Sequence, residues 1–314
     1  MSVTDPQGFR AAGVTAGLKS SGAPDMALVV NDGPSYASAS VFTSNRCKAN
    51  PVLWSQEVVK DGVVRAVVLN SGGANCYTGA EGFQTTHAVA EQVATHLGIG
   101  AIDVVVCSTG MIGLRNDRNV LLAGVDALVP ALNSEAGLDA ATSIMTTDTV
   151  PKQVVVTGGG WSIGGMAKGA GMLAPALATM LVVITTDALV DANVLDRALR
   201  TATKVSFDRL DSDGCMSTND TVTVMASGAS GIAPSEEQFT QALTQACTSL
   251  AMQLLADAEG VIALDARVRV NAGAPGGAAH FAIRPYPAEL TDTFTWDAPE
   301  GPRTVTLRAI RPED

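Results

Sequence analysis

The chain has 314 residues, enough for one large domain or two ordinary ones, and its 46% hydrophobic content predicts a sizeable core. A formal net charge of −11, with no run of Lys and Arg, argues against nucleic-acid binding. No apolar stretch is long enough to span a bilayer, and five widely spread cysteines without zinc-site spacing indicate reduced thiols, no metal and a cytoplasmic protein.

Short apolar runs rich in β-branched residues alternate with amphipathic helical patterns along the chain. In chain order they predict strands at 27–30, 39–43 and 64–69, a helix at 86–97, a strand at 104–107, a helix at 116–132, strands at 154–157 and 180–185, and helices at 189–203 and 236–258. Strands that are apolar throughout are buried on both faces, which predicts a layered α/β architecture. The pattern alone fits an open sheet and a sandwich of two sheets equally.

The last predicted helix carries the clearest end signal. Ser235 can cap its N-terminus, and Gln238, three residues later, completes a capping box. Apolar residues then recur at helical spacing on one face, at Phe239, Leu243, Ala246, Leu250 and Leu254. We interpret this stripe as core packing and not as a cofactor site.

The segment most suggestive of chemistry runs from residue 158 to residue 187. A Gly-rich loop leads to Lys168, then to small residues, and then to Thr179 at the start of a buried strand. Attack of the Thr179 hydroxyl on the carbonyl of Ala178 would break the chain and leave Thr179 as a new N-terminus. Its α-amino group, with a pKa of about 7.7–8.0, could then accept the hydroxyl proton. The local pattern also fits an ordinary strand residue after a loop.

Several sequence segments together resemble one family, the ornithine acetyltransferases (ArgJ). The run KGAGMLAPALATML resembles the self-cleavage region of that family, and CSTGMIG resembles its oxyanion-hole loop. Further resemblances lie in MTTDT, NSGGANCYTG, SFDRLDSDGCMSTNDT and ADAEG. The segments occur in family order and cover about residues 1–260. The acid-rich run at 208–213 lacks EF-hand spacing, and we interpret it as a turn beside the site.

The resemblance implies a role for particular residues in acetyl transfer. Thr179 would be the nucleophile that carries the acetyl group, after cleavage of the bond between Ala178 and Thr179. Thr109 and Gly110 would form the oxyanion hole, a hydroxyl and a backbone N–H aimed at the tetrahedral oxygen.

The resemblance also implies substrate-binding residues. Thr146 and Lys168 would bind the amino-acid substrate beside Thr179, with Thr147 as the neighbour that could be confused with Thr146. A lysine ammonium can hold the α-carboxylate that ornithine and glutamate share. Glu259 would pair with the cationic side chain of ornithine.

The implied reaction is ping-pong transfer of acetyl from N-acetylornithine to glutamate, with acetyl-CoA as a further donor in some members and no resident cofactor. The implied fold is an N-terminal-nucleophile-like sandwich of two β-sheets flanked by helices. Residues 1–178 would be the α chain and residues 179–260 the start of the β chain, assembled as a heterotetramer of two α and two β chains.

Residues 261–314 depart from the family pattern. This Pro-rich segment resembles the end of the ATP-grasp part of ADP-forming acyl-CoA synthetases fused to acetyltransferases, and it is too short for a core of its own. We therefore expect a chimeric or truncated product whose transferase activity is in doubt. Two alternatives stay open: a self-cleaving aminopeptidase or amidase of related fold, and an inactive chimeric fragment.

Overall fold

The computed structural model describes residues 2–172, 180–211 and 215–258 in full, together with the backbone of residues 291–298 and 301–308. Its strands are β1 (Phe9–Val14), β2 (Met26–Asn31), β3 (Ala37–Phe42), β4 (Ala66–Asn70), β5 (Val104–Ser108), β6 (Lys152–Thr157), β7 (Ser162–Lys168), β8 (Leu181–Thr186), β9 (Thr221–Ala226), β10 (Thr291–Ala298) and β11 (Gly301–Arg308). Its helices are α1 (Asn50–Val58), α2 (Gly79–Leu97), α3 (Arg118–Ala131), α4 (Gly137–Ser143), α5 (Ala192–Val205) and α6 (Glu236–Ala256).

The first nine strands form two sheets. In the four-stranded sheet the order is β1, β2, β4, β5, and only β4 and β5 are parallel to each other. In the five-stranded sheet the order is β3, β9, β8, β7, β6, and only β8 and β9 are parallel. The strands β10 and β11 pair with each other as an antiparallel hairpin.

Three buried apolar clusters show how the sheets and helices stack. One cluster lies between the five-stranded sheet and helices α5 and α6, and includes Val182 and Ile184 of β8. A second lies between the two sheets and includes Leu181 and Val183 of β8. The third lies between the four-stranded sheet and helices α2 and α3. The layers are therefore helices, sheet, sheet, helices, which confirms the sandwich of two sheets and excludes the open sheet.

The elements predicted from apolar patterns correspond to β2, β3, β4, β5, β6, β8, α2, α3, α5 and α6. Their ends shift by a few residues, most of all in α2, which begins at Gly79 and not at residue 86. Within residues 1–260 the patterns missed β1, β7, β9, α1 and α4. Each of the missed helices is short and each missed strand mixes small or hydroxyl residues with apolar ones, so the periodic signal is weak.

The prediction of a Gly-rich loop leading to Lys168 is wrong, because residues Ser162–Lys168 form the strand β7 between β6 and β8. The glycines there serve close packing. A Cβ on Gly164 would lie 2.2 Å from the carbonyl oxygen of Ser2, and one on Gly165 would lie 3.0 Å from Val154 Cγ1. Glycine inside a strand thus marks close approach by other segments, and not a flexible loop.

Helix α6 begins as predicted. Ser235 Oγ accepts from the Gln238 backbone N–H at 3.2 Å, and Gln238 Oε1 accepts from the Ser235 N–H at 3.1 Å, which confirms the capping box. The apolar stripe that follows packs in the cluster beneath the five-stranded sheet. Within the described ranges, neither α6 nor any other helix has the length and apolar character to cross a membrane.

Replacing Ser235 with alanine is expected to lower the free energy of unfolding by about 1 kcal/mol, because the Gln238 N–H loses its acceptor at the helix start. A urea titration followed by circular dichroism measures the loss. Ser235→Asp is the matched control, since aspartate keeps an acceptor oxygen and should stay near wild type. Equal stability of the alanine and aspartate variants would contradict the role of the cap.

Candidate active site

A buried lysine joins three of the residues that the sequence predicts for the site. Lys168 is the last residue of β7, and only 2% of its surface is exposed. Its Nζ donates to Thr146 Oγ1 at 2.7 Å and to Thr109 Oγ1 at 3.3 Å. An ammonium group held away from bulk water among hydroxyls is suited to binding a small anion such as a carboxylate.

These three residues come from different parts of the fold. Thr109 directly follows β5, and its N–H donates to the Asn70 carbonyl at 2.9 Å, which ties the loop to the end of β4. Thr146 follows helix α4, and of the two neighbouring threonines it is Thr146 that the structure brings to Lys168. Because β5 and β7 belong to different sheets, the candidate site lies where the ends of the two sheets meet.

Gly110 allows the loop after Thr109 to pack closely against the backbone of Gly72. Its φ of +119° is in the left-handed region that favours glycine. A Cβ at this position would lie 2.9 Å from the carbonyl carbon and oxygen of Gly72. Any larger residue would therefore push the loop away from Gly72, and with it the backbone N–H of residue 110.

A buried carboxylate, that of Asp148, lies next to Lys168. The Asp148 side chain is fully buried, and its Oδ1 accepts from Lys152 Nζ at 2.7 Å and from the Gly169 N–H at 2.6 Å. Its Oδ2 accepts from the Thr146 N–H at 3.0 Å and lies 3.9 Å from Lys168 Nζ. The same carboxylate therefore positions the backbone on both sides of the site and faces both buried lysines.

Lys152 extends this network toward the end of α6. Its side chain is fully buried and also donates to a carboxylate oxygen of Asp257, which accepts from Thr149 as well. The sequence analysis missed Asp148, Lys152 and Asp257. They lie within or beside the segments MTTDT and ADAEG, but isolated charges in a sequence are usually solvated, and only the fold shows that these are paired and buried.

Burial and pairing shift the pKa values of this cluster. Burial lowers the pKa of Lys168 below the usual lysine range, and the nearby Asp148 carboxylate only partly offsets this. Burial acts to raise the pKa of Asp148, but the Lys168 charge and the Lys152 hydrogen bond outweigh it and hold that pKa below its usual value. At neutral pH Asp148 is therefore an anion, and its charge favours the protonated form of Lys168.

Three predicted site residues, Ala178, Thr179 and Glu259, lie outside the described residues. Their described neighbours approach the cluster from both sides. Lys168 pairs with Leu181 in the register of β7 and β8, and the Met180 N–H donates to Asp220 Oδ1 at 2.9 Å. Asp257 contacts Lys152. Described residues that are close in sequence to the undescribed ones therefore contact the site region.

The acid-rich run was interpreted as a turn beside the site. Asp208 lies in a short 3-10 turn, Phe207–Arg209, while Asp213 is outside the described residues. In the part of the chain that the structure describes, no group of three or more His, Cys, Asp or Glu side chains is placed to hold a metal ion.

Comparison with known proteins identifies the family. The sequence model of the ArgJ family matches residues 10–283. The chain belongs to the ArgJ family. The match to ArgJ runs past residue 260, into the segment predicted to be a foreign tail. The arginine biosynthesis bifunctional protein ArgJ of Streptomyces coelicolor is 61% identical over 260 residues, which cover 83% of this chain and 68% of that protein.

Solved structures resemble the fold of this ArgJ member, and some of them also resemble its sequence. The ornithine acetyltransferase of Mycobacterium tuberculosis, solved in complex with ornithine, has a TM-score of 0.55 and 55% identity, over 57% of this chain and 96% of that chain. A β-aminopeptidase from Burkholderia has a TM-score of 0.53 at 14% identity, over 82% of this chain and 86% of that one, which shows a shared fold alone.

Proposed function

We propose that the protein transfers an acetyl group from N-acetylornithine to glutamate through an ester on the Thr179 hydroxyl. The observation that carries this proposal is the buried Lys168 ammonium, bonded to the hydroxyls of Thr109 and Thr146 beside the start of β8. Membership of the ArgJ family supports the reaction type, because its relatives are named for arginine biosynthesis and a solved relative is an ornithine acetyltransferase complexed with ornithine.

In this proposal each polar group of the cluster has a defined partner. Lys168 and Thr146 bind the α-carboxylate common to donor and acceptor, and Glu259 pairs with the ammonium of the ornithine side chain. The Thr109 hydroxyl accepts from Lys168, so its own hydrogen can donate to the tetrahedral oxyanion together with the Gly110 N–H. Loss of one such donor typically slows acyl transfer by about 100- to 1000-fold.

The transfer proceeds in two halves. The α-amino group of Thr179 takes the proton of its own hydroxyl, the oxygen attacks the acetyl carbonyl, and ornithine leaves with the proton. The amino group of glutamate then attacks the acetyl ester and regenerates the hydroxyl. Acetyl-CoA could replace N-acetylornithine as the donor in the first half, and no resident cofactor takes part.

A free amine at Thr179 requires scission after Ala178. The matched length of a solved relative supports this step. Only 57% of this chain, about 179 residues, accounts for 96% of the M. tuberculosis ornithine acetyltransferase chain. A chain of about that length is what scission before Thr179 would release as the N-terminal fragment.

The function is tested by incubating purified protein with N-acetylornithine and isotopically labelled glutamate. Labelled N-acetylglutamate and free ornithine in equal amounts are the expected products. Release of acetate without labelled N-acetylglutamate would indicate an amidase instead. If folded, cut protein forms no product, the transferase proposal is contradicted and an inactive chain is favoured.

The lowered pKa of Lys168 predicts a pH dependence of substrate binding. The ammonium form binds the α-carboxylate, so the KM for N-acetylornithine should rise as pH increases through the Lys168 pKa, at a pH below the usual lysine range. Initial rates between pH 7 and 10 measure KM and kcat separately. N-acetylputrescine, which lacks the carboxylate, is the matched control. A flat KM for N-acetylornithine over this range would contradict carboxylate binding by Lys168.

We further propose that the two fragments remain together as a heterotetramer of two α and two β chains. Light scattering of the cut protein would measure its mass directly. We also propose a reducing, cytoplasmic location, which fits the wide spread of the five cysteines along the sequence and their lack of zinc-site spacing.

A further inference from the structure

Scission of the chain raises a proton-transfer problem that the transfer reaction does not have. During transfer, the free α-amine of Thr179 accepts the hydroxyl proton. Before scission that nitrogen is the amide of the bond to Ala178, and an amide nitrogen is no base. The first attack of the Thr179 hydroxyl therefore needs a different proton acceptor, supplied by another part of the fold.

Asp220 is hydrogen-bonded to the residue that follows Thr179. It directly precedes β9, which runs parallel to β8 with Leu181 paired to Thr221. The Asp220 side chain is fully buried, and its Oδ1 accepts from the Met180 N–H at 2.9 Å. Its Oδ2 is also buried and, among the residues that the structure describes, has no hydrogen-bond partner. Leaving a buried carboxylate oxygen unpaired costs free energy, which structural packing alone does not explain.

The surroundings of Asp220 suit a base. Burial raises the pKa of Asp220 to about 7, and the Met180 N–H, Ser217, Thr43 and the positive charge of Lys168 offset only part of that effect. These groups come from the residue before β8, the segment before β9, the residue after β3, and the end of β7. Lys168 is the charged group among them. A proton acceptor works best when its pKa lies close to the working pH.

The hydrogen bond to Met180 connects Asp220 to the backbone next to the reacting residue. Met180 N is the nitrogen bonded to the carbonyl carbon of Thr179. Asp220 Oδ1 is hydrogen-bonded to the same nitrogen, and Oδ2 belongs to the same carboxylate.

We propose that Asp220 accepts the Thr179 hydroxyl proton in the self-cleavage step. The Thr179 oxygen then bonds to the carbonyl carbon of Ala178, and the carbon–nitrogen bond breaks. Asp220 returns the proton to the departing nitrogen, which becomes the free α-amine. Water hydrolyses the resulting ester and leaves Ala178 with a carboxylate. This inference rests on the proposed function, since it supplies the step that creates the nucleophile.

The test uses full-length chains labelled during cell-free synthesis at low temperature, so that uncut precursor is caught. Aliquots are shifted to buffers between pH 5.5 and 8.5, and scission is followed on denaturing gels. In wild type the rate should rise with pH through about 7 and level off above it, because the ionised carboxylate is the active form. Asp220→Asn keeps an oxygen for the Met180 N–H but cannot take a proton, and should cut at least about 100-fold more slowly.

Asp187→Asn is the matched control. Asp187 is also a buried aspartate, and it accepts backbone N–H groups from Ser162 and Gln7 at the opposite end of β8. It should cut like wild type with the same pH profile, while thermal melts report whether each variant is folded.

The outcomes separate this inference from the proposed function. If wild type cuts but folded Asp220→Asn cuts within about threefold of it, the assignment of Asp220 is wrong and the transferase proposal stands. If Asp220→Asn does not fold, the wild-type profile decides, and a rate that does not change between pH 5.5 and 8.5 overturns the inference. If properly folded wild type is never cut, the proposed function itself fails.

Discussion

Replacing Thr179 with alanine is expected to leave a single uncut chain and to abolish acetyl transfer. Alanine removes the hydroxyl that attacks Ala178 and, with the chain intact, no α-amine is formed. Losing a nucleophile of this kind lowers turnover by about 10⁴-fold or more. Intact-mass measurement of denatured protein checks the scission, and labelled N-acetylglutamate formation checks the transfer.

Thr179→Ser is the control for this variant, because serine keeps the hydroxyl and can generate the same N-terminal amine. It should yield two fragments, more slowly than wild type, and retain measurable transfer. Two fragments from Thr179→Ala would mean that an outside protease cuts the chain, and unchanged transfer in that variant would remove Thr179 from the chemistry altogether.

The sequence patterns predicted those parts of the fold that depend mainly on interactions between residues close together in the chain. The capping box of Ser235 and Gln238 needs only neighbouring residues, and it forms as predicted. Apolar strands such as β8 were also predictable, because burial on both faces leaves no polar position. Which face of β8 meets α6 and which meets the second sheet depends on long-range packing, and the pattern could not choose between an open sheet and a sandwich.

Glycines were the main source of error in the fold prediction. A run rich in glycine is typical of a loop, but Gly164 and Gly165 lie in the middle of β7, where other segments approach too closely for a side chain. The information needed to see this lies in Ser2, Val154 and Leu250, which are distant in sequence. The sequence of residues 158–168 alone therefore does not show that these glycines lie in a strand.

For the candidate site, the resemblance named residues that the structure brings together, but not the groups that hold them. Thr109, Thr146 and Lys168 meet in space. Asp148 and Asp220 were not singled out, although both lie in segments quoted for the resemblance. What sets these two aspartates apart is that each is buried, Asp148 beside a lysine and Asp220 beside a backbone N–H. This burial arises where the two sheets meet, and a single sequence does not reveal it.

The dependence of the site on Asp148 leads to the second large expected effect. Asp148→Asn removes the anion between Lys152 and Lys168, and leaves Lys168 as a buried cation without its nearest carboxylate. Breaking a buried ion pair on one side is strongly destabilising because the remaining charge stays desolvated, and the loss is about 3–5 kcal/mol. In a protein of this size that corresponds to a fall in melting temperature of roughly 10 °C.

The sign of the pH dependence distinguishes this electrostatic loss from a simple packing defect. The pKa of Asp148 is lower in the folded protein than the value of about 3.9 in an unfolded chain. Its contribution is therefore complete at neutral pH and is lost as pH falls through the folded pKa, so the difference between wild type and Asp148→Asn should shrink in acid. Asp196→Asn, which breaks only the exposed pair with Arg200, should change stability by less than about 1 kcal/mol. A comparable small loss in Asp148→Asn at pH 7 would mean that Lys152 and Lys168 do not need this carboxylate, and that the buried cluster is held by its hydroxyl and backbone partners alone.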